Sequence, residues 1–312
     1  MVVGRGGGAA VNSTEVLAAD IGRSGLRVAI GHCHEAKVTL RSVERLSLDL
    51  SSESVADKLL SLMRPLHESS GARALGIATA GQVSKDGVVR ATHGGLYDGC
   101  VHLGSWLQSE LGIPVVVRND VQLMTLAESR YGAGDNWDVV AGVGIGSGVG
   151  GGVVYSRCLA IGSGGVAGEF GHVRVSEGTA GRPCWCGGRG CLEVQVSGVA
   201  IEERHRELGG AGLIATEILR LADQESRSRA LVSDVVKELA TGLEILSCCI
   251  NPTGFVLGGS IGVALQPFLE LFRVRLRQHQ YDAIHATRVE TAKLGVHAQL
   301  YGAALIAQSL VA

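Results

Sequence analysis

One pattern constrains this chain of 312 residues more than any other: an apolar run, a glycine turn and a second apolar run, found as VLAADIGRSGLRVAI (16–30) and again as VVAGVGIGSGVGGGVVYS (139–156). Apolar β-prone stretches separated by a short glycine turn fold back on each other, so each reads as a β-hairpin. A repeated supersecondary unit points to two related lobes. With 46% hydrophobic residues the chain can fill two moderate cores. Two lobes leave a cleft between them.

The rest of the first half reads as an α/β lobe. A third strand lies within 37–46, and Val55, Leu59, Leu62, Met63 and Leu66 have helical spacing, with Pro65 predicting an end or kink there. ALGIATAG (74–81) and PVVVRND (114–120) read as buried strands. Beyond the second hairpin the pattern predicts helices near 197–222, 230–249 and 262–279, strands in GFVLGGS and RVETAKL, and a last helix near 298–310. The resulting division is a Gly-rich tail (1–15), an N-terminal α/β lobe (16–118) on which a C-terminal helix (298–312) packs, and a second α/β lobe (119–297).

A formal net charge of −2 with dispersed Lys and Arg argues against nucleic acid as a partner. No apolar run is long enough for a membrane helix and the N-terminus lacks the apolar core of a signal peptide, so a cytoplasmic location is expected. Eight cysteines in such a compartment do not predict disulfides. Cys33, Cys100, Cys158, Cys248 and Cys249 read as small buried hydrophobes.

The remaining three belong to GGVAGEFGHVRVSEGTAGRPCWCGGRGCLE (164–193), where reactive groups are concentrated. Cys184, Cys186 and Cys191, with His172, offer a Cys₃His tetrahedral set, and zinc there would be structural because no coordination position is left open. Such an ion would fix a glycine loop and with it Glu169, His172 and Glu193, whose carboxylates and imidazole can hydrogen-bond sugar hydroxyls. The two glycine turns offer backbone N–H groups to a polyphosphate: Gly22, Ser24 and Gly25 with Arg27 in the first, Gly146 to Gly152 in the second. Glycines also serve tight hairpins, and either turn alone is equally well read that way. Both turns together, with Asp20 available to hold a magnesium-bound water, favour ATP. Asp120 ends a strand and opens a helix, where it is either an N-cap or a general base at the mouth of the cleft.

GEFGH followed by CWCGGRGCLE resembles the paired signatures of the ROK sugar kinases, within the hexokinase and actin-like ATPase fold, and the resemblance runs from about Val16 to the end. DIGRSGLR is similar to the family's first phosphate motif, RND to its catalytic strand end, GSGVGGG to its second phosphate motif and NPTGFVLGGS to its adenosine motif. N-acetylmannosamine kinases resemble the chain most. The resemblance implies a two-lobed α/β ATPase fold and ATP-dependent phosphorylation of the 6-hydroxyl of a hexose or N-acetylhexosamine, N-acetylmannosamine first, with a ROK-type glucokinase or a non-catalytic sugar-binding regulator as alternatives. It assigns Asp120 as base, Gly81, His93, Asn119, Glu169, His172 and Glu193 to the sugar, and Gly22, Ser24, Gly146, Ser147 and Gly148 to the phosphates. Gly258 and Gly259 would lie against adenosine, and His172 would reach zinc with one ring nitrogen and sugar with the other. Arg23 stands where relatives carry glycine. A homodimer through the C-terminal lobe is expected. A DNA-binding regulator of the same family would carry a further domain ahead of the first strand.

Overall fold

Each glycine hairpin seeds a five-stranded sheet, and the two sheets share one topology. The computed structural model describes residues 13–22, 25–35, 37–47, 54–90, 96–97, 99–176 and 181–311. In the first sheet β1 (Thr14–Gly22) and β2 (Gly25–His34) form the hairpin, β3 (Lys37–Leu46) extends it, and β4 (Leu75–Thr79) and β8 (Val115–Asn119) join on the other side. Helices α1 (Val55–Ser70) and α2 (Leu103–Leu111) lie between these strands in the chain, as do β5 (Gln82–Val83), β6 (Val89–Arg90) and β7 (Cys100–Val101), which form a small sheet of their own. The order is β3-β2-β1-β4-β8, antiparallel among the first three and parallel from β1 through β4 to β8.

After α3 (Asp120–Tyr131) the second sheet repeats this order with β9 (Val139–Ile145), β10 (Val149–Tyr155), β11 (Cys158–Ala160), β12 (Gly254–Gly258) and β13 (Arg288–Thr291), arranged β11-β10-β9-β12-β13. Between β11 and β12 come α4 (Glu193–Val196), α5 (Gly198–Glu207), α6 (Ala215–Arg220) and α7 (Ser226–Ile250). Helices α8 (Gly259–Ala264), α9 (Leu269–Arg277) and α10 (Asp282–His285) precede β13, and α11 (Ala298–Gln308) ends the chain.

Two helices cross over between the halves. Helix α11 packs on the first sheet so closely that a Cβ on Gly76 would stand 1.9 Å from the Ala303 carbonyl oxygen. Helix α3 packs on β9 and β10 of the second sheet and also on α11. The layers therefore run sheet, α11, α3, sheet. One core fills this middle, uniting Val16 and Ala18 with Leu123, Val140, Val256 and Ala304. A second core lies under α1 and α2 and a third under α5 to α9. Glu128, fully buried near the end of α3, stitches the middle together: its carboxylate accepts from the backbone N–H groups of Ala133 (2.8 Å), Lys293 (2.9 Å) and Leu294 (2.8 Å). Three donors supply what a buried carboxylate requires.

Several sequence expectations change. Helix α1 does not end at Pro65 but runs on to Ser70, where Gly71 in the left-handed conformation returns its N–H to His67 O. Proline forfeits one helical hydrogen bond, and buried Leu59 and Met63 hold the helix on its sheet regardless. The helices expected over 197–222 and 262–279 are each divided, into α5 and α6 and into α8 and α9. Strand β1 starts at Thr14, inside the span assigned to the tail, and residues 1–12 lie outside the described residues. Of the five cysteines read as buried hydrophobes only Cys33 is buried; Cys100, Cys158, Cys248 and Cys249 are exposed. Cys158 opens an edge strand, and Cys248 and Cys249 follow the buried Leu246 and Ser247 on the outward turn of α7. Apolar neighbours in sequence do not report which face a residue occupies.

Candidate active site

The start of α3 resolves the two readings of its acidic residue. Asn119 is the N-cap: its Oδ1 accepts from Val121 N (2.9 Å) and Gln122 N (3.2 Å), and its Nδ2 donates to Gly81 O (3.1 Å). Asp120 is thereby released from capping and becomes the first helical residue, on the wall of a cleft of ≈ 690 Å³. Burial pushes its carboxyl above the ordinary carboxylate range, while the hydrogen bond from the Val121 N–H (2.9 Å) pulls the other way. A carboxyl that gains a proton more readily than usual suits a general base.

Gly81, Asn119, Glu169, His172 and Glu193 line the same cleft, as do Gly146, Ser147, Gly148 and Gly259. Glu169 is also raised by burial, with the His172 ring opposing and the carboxylates of Glu193 and Asp120 adding to the rise. The structure thus gathers into one wall residues that the sequence spreads over 179 positions, from Gly81 to Gly259. Gly258 does not line it, being packed at the end of β12 with its Cα against Met124. His93, Ser24 and Arg23 lie outside the described residues.

The second glycine run divides into two parts. Only Gly146, Ser147 and Gly148 form the turn, closed by Gly146 N to Gly148 O (2.9 Å) and held by Gly198 N to Gly146 O (2.7 Å). Of the strand glycines on either side, Gly142, Gly144, Gly150 and Gly152 face α3, while Gly151 faces Phe170. Gly144 pairs with Gly150, and a Cβ on either would meet Val121; Gly142 pairs with Gly152, and a Cβ on either would meet Thr125. A strand stripped of side chains lets a helix approach closely. These glycines position Asp120 through its helix, a role the sequence reading merged with phosphate binding.

At the first hairpin Asp20 is 3% exposed and pairs with Arg27, which also donates to Val296 O. Burial raises the Asp20 carboxyl to about 6; Arg27 opposes and nearby Asp120 adds to the rise. Arg27 is therefore committed to Asp20. Gly22 ends β1 beside it.

His172, Cys184, Cys186 and Cys191 present four ligand atoms that all lie within 4.8 Å of one another. Cys186 Sγ is 3.7 Å from Cys191 Sγ, and Cys184 Sγ is 3.6 Å from His172 Nδ1. Zn–S bonds of about 2.3 Å at tetrahedral angles require sulfurs about 3.8 Å apart, so the set fits zinc. Cys184 N to Gly188 O (2.9 Å) and Gly187 N to Cys184 O (3.0 Å) curl the loop around this point. With Nδ1 turned to the thiols, His172 Nε2 is 3.9 Å from Glu169 Oε2 on the cleft side.

Two contributors were missed in the sequence. Gln122 is buried on α3 and donates from Nε2 to Gly165 O (3.1 Å) and Ala167 O (2.8 Å), clamping the segment that leads to Glu169. Trp185, between two of the cysteines, lines the cleft and donates to Glu193. An aromatic inside CWC was a legible signal; Gln122 offered none beyond standing two residues after Asp120.

The sequence profile described as "ROK family" matches residues 16–310. The chain is 31% identical over 297 residues to the N-acetylmannosamine kinase of Salmonella newport, covering 94% of this chain and 98% of the relative. It is 33% identical over 205 residues, 66% of its length, to the bifunctional enzyme NanE/NanK of Brucella suis, of which it spans 37%. The crystal structure of a ROK family glucokinase from Streptomyces griseus in complex with glucose and AMPPNP superposes with a TM-score of 0.74 at 27% identity, over 95% of this chain and 99% of that one. The two-sheet architecture is thus the α/β actin-like ATPase fold. Matched along nearly its whole length in sequence and in fold, the chain belongs to the ROK family.

Proposed function

We propose that this protein transfers the γ-phosphoryl group of ATP to the 6-hydroxyl of a hexose or N-acetylhexosamine, with N-acetylmannosamine the first-choice acceptor. The observation that carries the reading is Asp120: a half-buried carboxyl, raised above its ordinary range, at the N-terminus of α3 and on the wall of a ≈ 690 Å³ cleft. In the transfer the sugar oxygen bonds to the γ-phosphorus as the bond from that phosphorus to the β–γ bridging oxygen breaks, and the hydroxyl proton passes to Asp120. Gly81, Asn119, Glu169, His172 and Glu193 orient the sugar. Their lining of the same cleft supports this. The turn at Gly146, Ser147 and Gly148 offers backbone N–H groups to the phosphates, and Gly259 stands by the nucleoside.

Asp20, whose one ion-pair partner among the described residues is Arg27, keeps carboxylate lone pairs for a magnesium-bound water. Magnesium, when bound, screens the charge of the phosphates. Zinc on His172 and the three cysteines has no open position and serves to hold the loop. The identity with an N-acetylmannosamine kinase favours that sugar; the likeness to a glucokinase makes glucose the second candidate.

The test is ADP release with Mg-ATP against N-acetylmannosamine, N-acetylglucosamine, glucose, mannose and fructose, with a no-sugar control. Turnover with N-acetylmannosamine at the highest kcat/KM is the expected result. Turnover confined to glucose would transfer the assignment to a glucokinase. Sugar binding without ADP release from any of them would replace the kinase with a non-catalytic sugar-binding protein.

A further inference from the structure

Glu193 uses both carboxylate oxygens inside the protein. Oε2 accepts from the N–H of Val149 (2.8 Å), the residue that follows the Gly146–Ser147–Gly148 turn, and Oε1 accepts from the indole N–H of Trp185 (2.6 Å). Trp185 in turn sets its ring edge-on against His172, with centroids 4.7 Å apart and planes at 80°. Its backbone stands between Cys184 and Cys186. The indole nevertheless remains 44% exposed on the cleft wall, so apolar burial does not explain its presence.

We propose that Trp185 is a positioning residue which, by holding Glu193 through its indole N–H, keeps one carboxylate gripping the phosphate turn and facing the sugar pocket, and so couples nucleotide affinity to the cysteine loop. The inference rests on the kinase reading for its kinetic consequence, but its structural content stands apart from turnover. A hydrogen bond to a charged acceptor is stronger than a neutral one, and each carboxylate oxygen retains a lone pair for a sugar hydroxyl. The loop therefore reaches the phosphate turn through two side chains, Trp185 and Glu193.

The experiment compares Trp185→Phe, which keeps an aromatic ring and removes the N–H, with the wild-type protein at equal bound-zinc content. Binding of AMPPNP by calorimetry is expected to weaken about tenfold, and KM for Mg-ATP to rise to match, while KM for sugar changes less. If Trp185 were only a wall of the sugar pocket, the phenylalanine would restore function and any change would fall on the sugar KM alone. Indole ¹⁵N–¹H spectra supply a readout independent of activity. Three tryptophans give three signals, Trp185→Phe identifies one, and Glu193→Gln must shift that signal strongly. An unmoved signal, or unchanged AMPPNP affinity in Trp185→Phe, overturns the proposal. Failure of the kinase reading shows differently, as no turnover with any sugar while the indole signal still responds to Glu193→Gln.

Discussion

The two hairpins occupy the same place in two sheets of the same topology, yet they reach close packing by different means. On the first sheet helix and strands are both made small: α11 presents Ala303 and Ala304 to strands that set Gly31 and Gly76 against it, beside Val16, Ala18 and Ala29. On the second the strands are made small: glycines at 142, 144, 150 and 152 receive Val121 and Thr125 of α3. The first arrangement leaves the sheet free to carry side chains, including the buried Asp20–Arg27 pair. The second gives that freedom to the helix, and the helix carries Asp120. Of the two hairpins, the first thus carries a buried charged pair, while the second contributes the backbone of its turn to the cleft.

The largest effect should come from removing the charge on that helix. Asp120→Asn keeps size and polarity and abolishes proton acceptance, so kcat should fall by about 10³-fold while sugar Kd, read by calorimetry, moves little. A loss of sugar affinity at normal kcat would remove Asp120 from the reaction. Because burial raises this carboxyl, the acid limb of the wild-type kcat/KM profile should lie at higher pH than an ordinary aspartate's. An acid limb at the ordinary value near pH 4 would show the group to be solvated.

Next comes the packing on the second sheet. A Cβ at Gly142 would stand 1.9 Å from Thr125 Oγ1 and 2.8 Å from its Cβ. Neither a strand backbone nor a helix interior yields easily, so Gly142→Ala should cost about 1–3 kcal/mol in urea unfolding and lower kcat by displacing α3. Adding Thr125→Ala removes the nearest atom and should recover part of both losses, a coupling that additive effects would not give. Full additivity would mean that the two faces do not interlock.

A smaller effect belongs to the first sheet and depends on pH. The folded protein holds the Asp20 carboxyl at about 6 against 3.8 for the free group, so it binds more protons than the unfolded chain between those values. Stability must then fall as pH rises through that window and level off above it. Asp20→Asn removes the titration. The melting temperature of the variant relative to wild type should increase from pH 4 to pH 6 and stay constant beyond, a pattern that a simple loss of the Arg27 pairing would not produce.

These contrasts also explain what was legible in the sequence. Both hairpins, the strand ends and the Cys₃His cluster could be read because each depends on local pattern: apolar runs broken by glycine, or ligands crowded within a few residues. Asn119 as the cap that releases Asp120 could not, since two adjacent polar residues at a strand end compete for the same role and only the backbone decides. Nor could the packing of α3 directly against α11 between the sheets, which local periodicity does not encode. The run Gly146 to Gly152 reads as one turn in the sequence because composition is blind to alternation: Gly146 and Gly148 serve the cleft, and Gly150 and Gly152, paired with Gly144 and Gly142, serve the helix.

The smallest change in stability should separate those two kinds of glycine. No atom lies within 4 Å of where a Cβ on Gly146 would be built, so Gly146→Ala should leave the urea midpoint within about 0.5 kcal/mol of wild type. Yet Gly146 lines the cleft, and a methyl group there would stand where phosphate oxygens approach the backbone N–H groups. KM for Mg-ATP should therefore rise several-fold with little change in sugar affinity, the reverse of Gly142→Ala, where stability is lost first. Two glycines four residues apart would then fail in different assays. Were both substitutions instead to unfold the protein equally and leave nucleotide binding intact in the remaining folded fraction, the whole run would be structural, and the phosphates would have to be held elsewhere in the cleft.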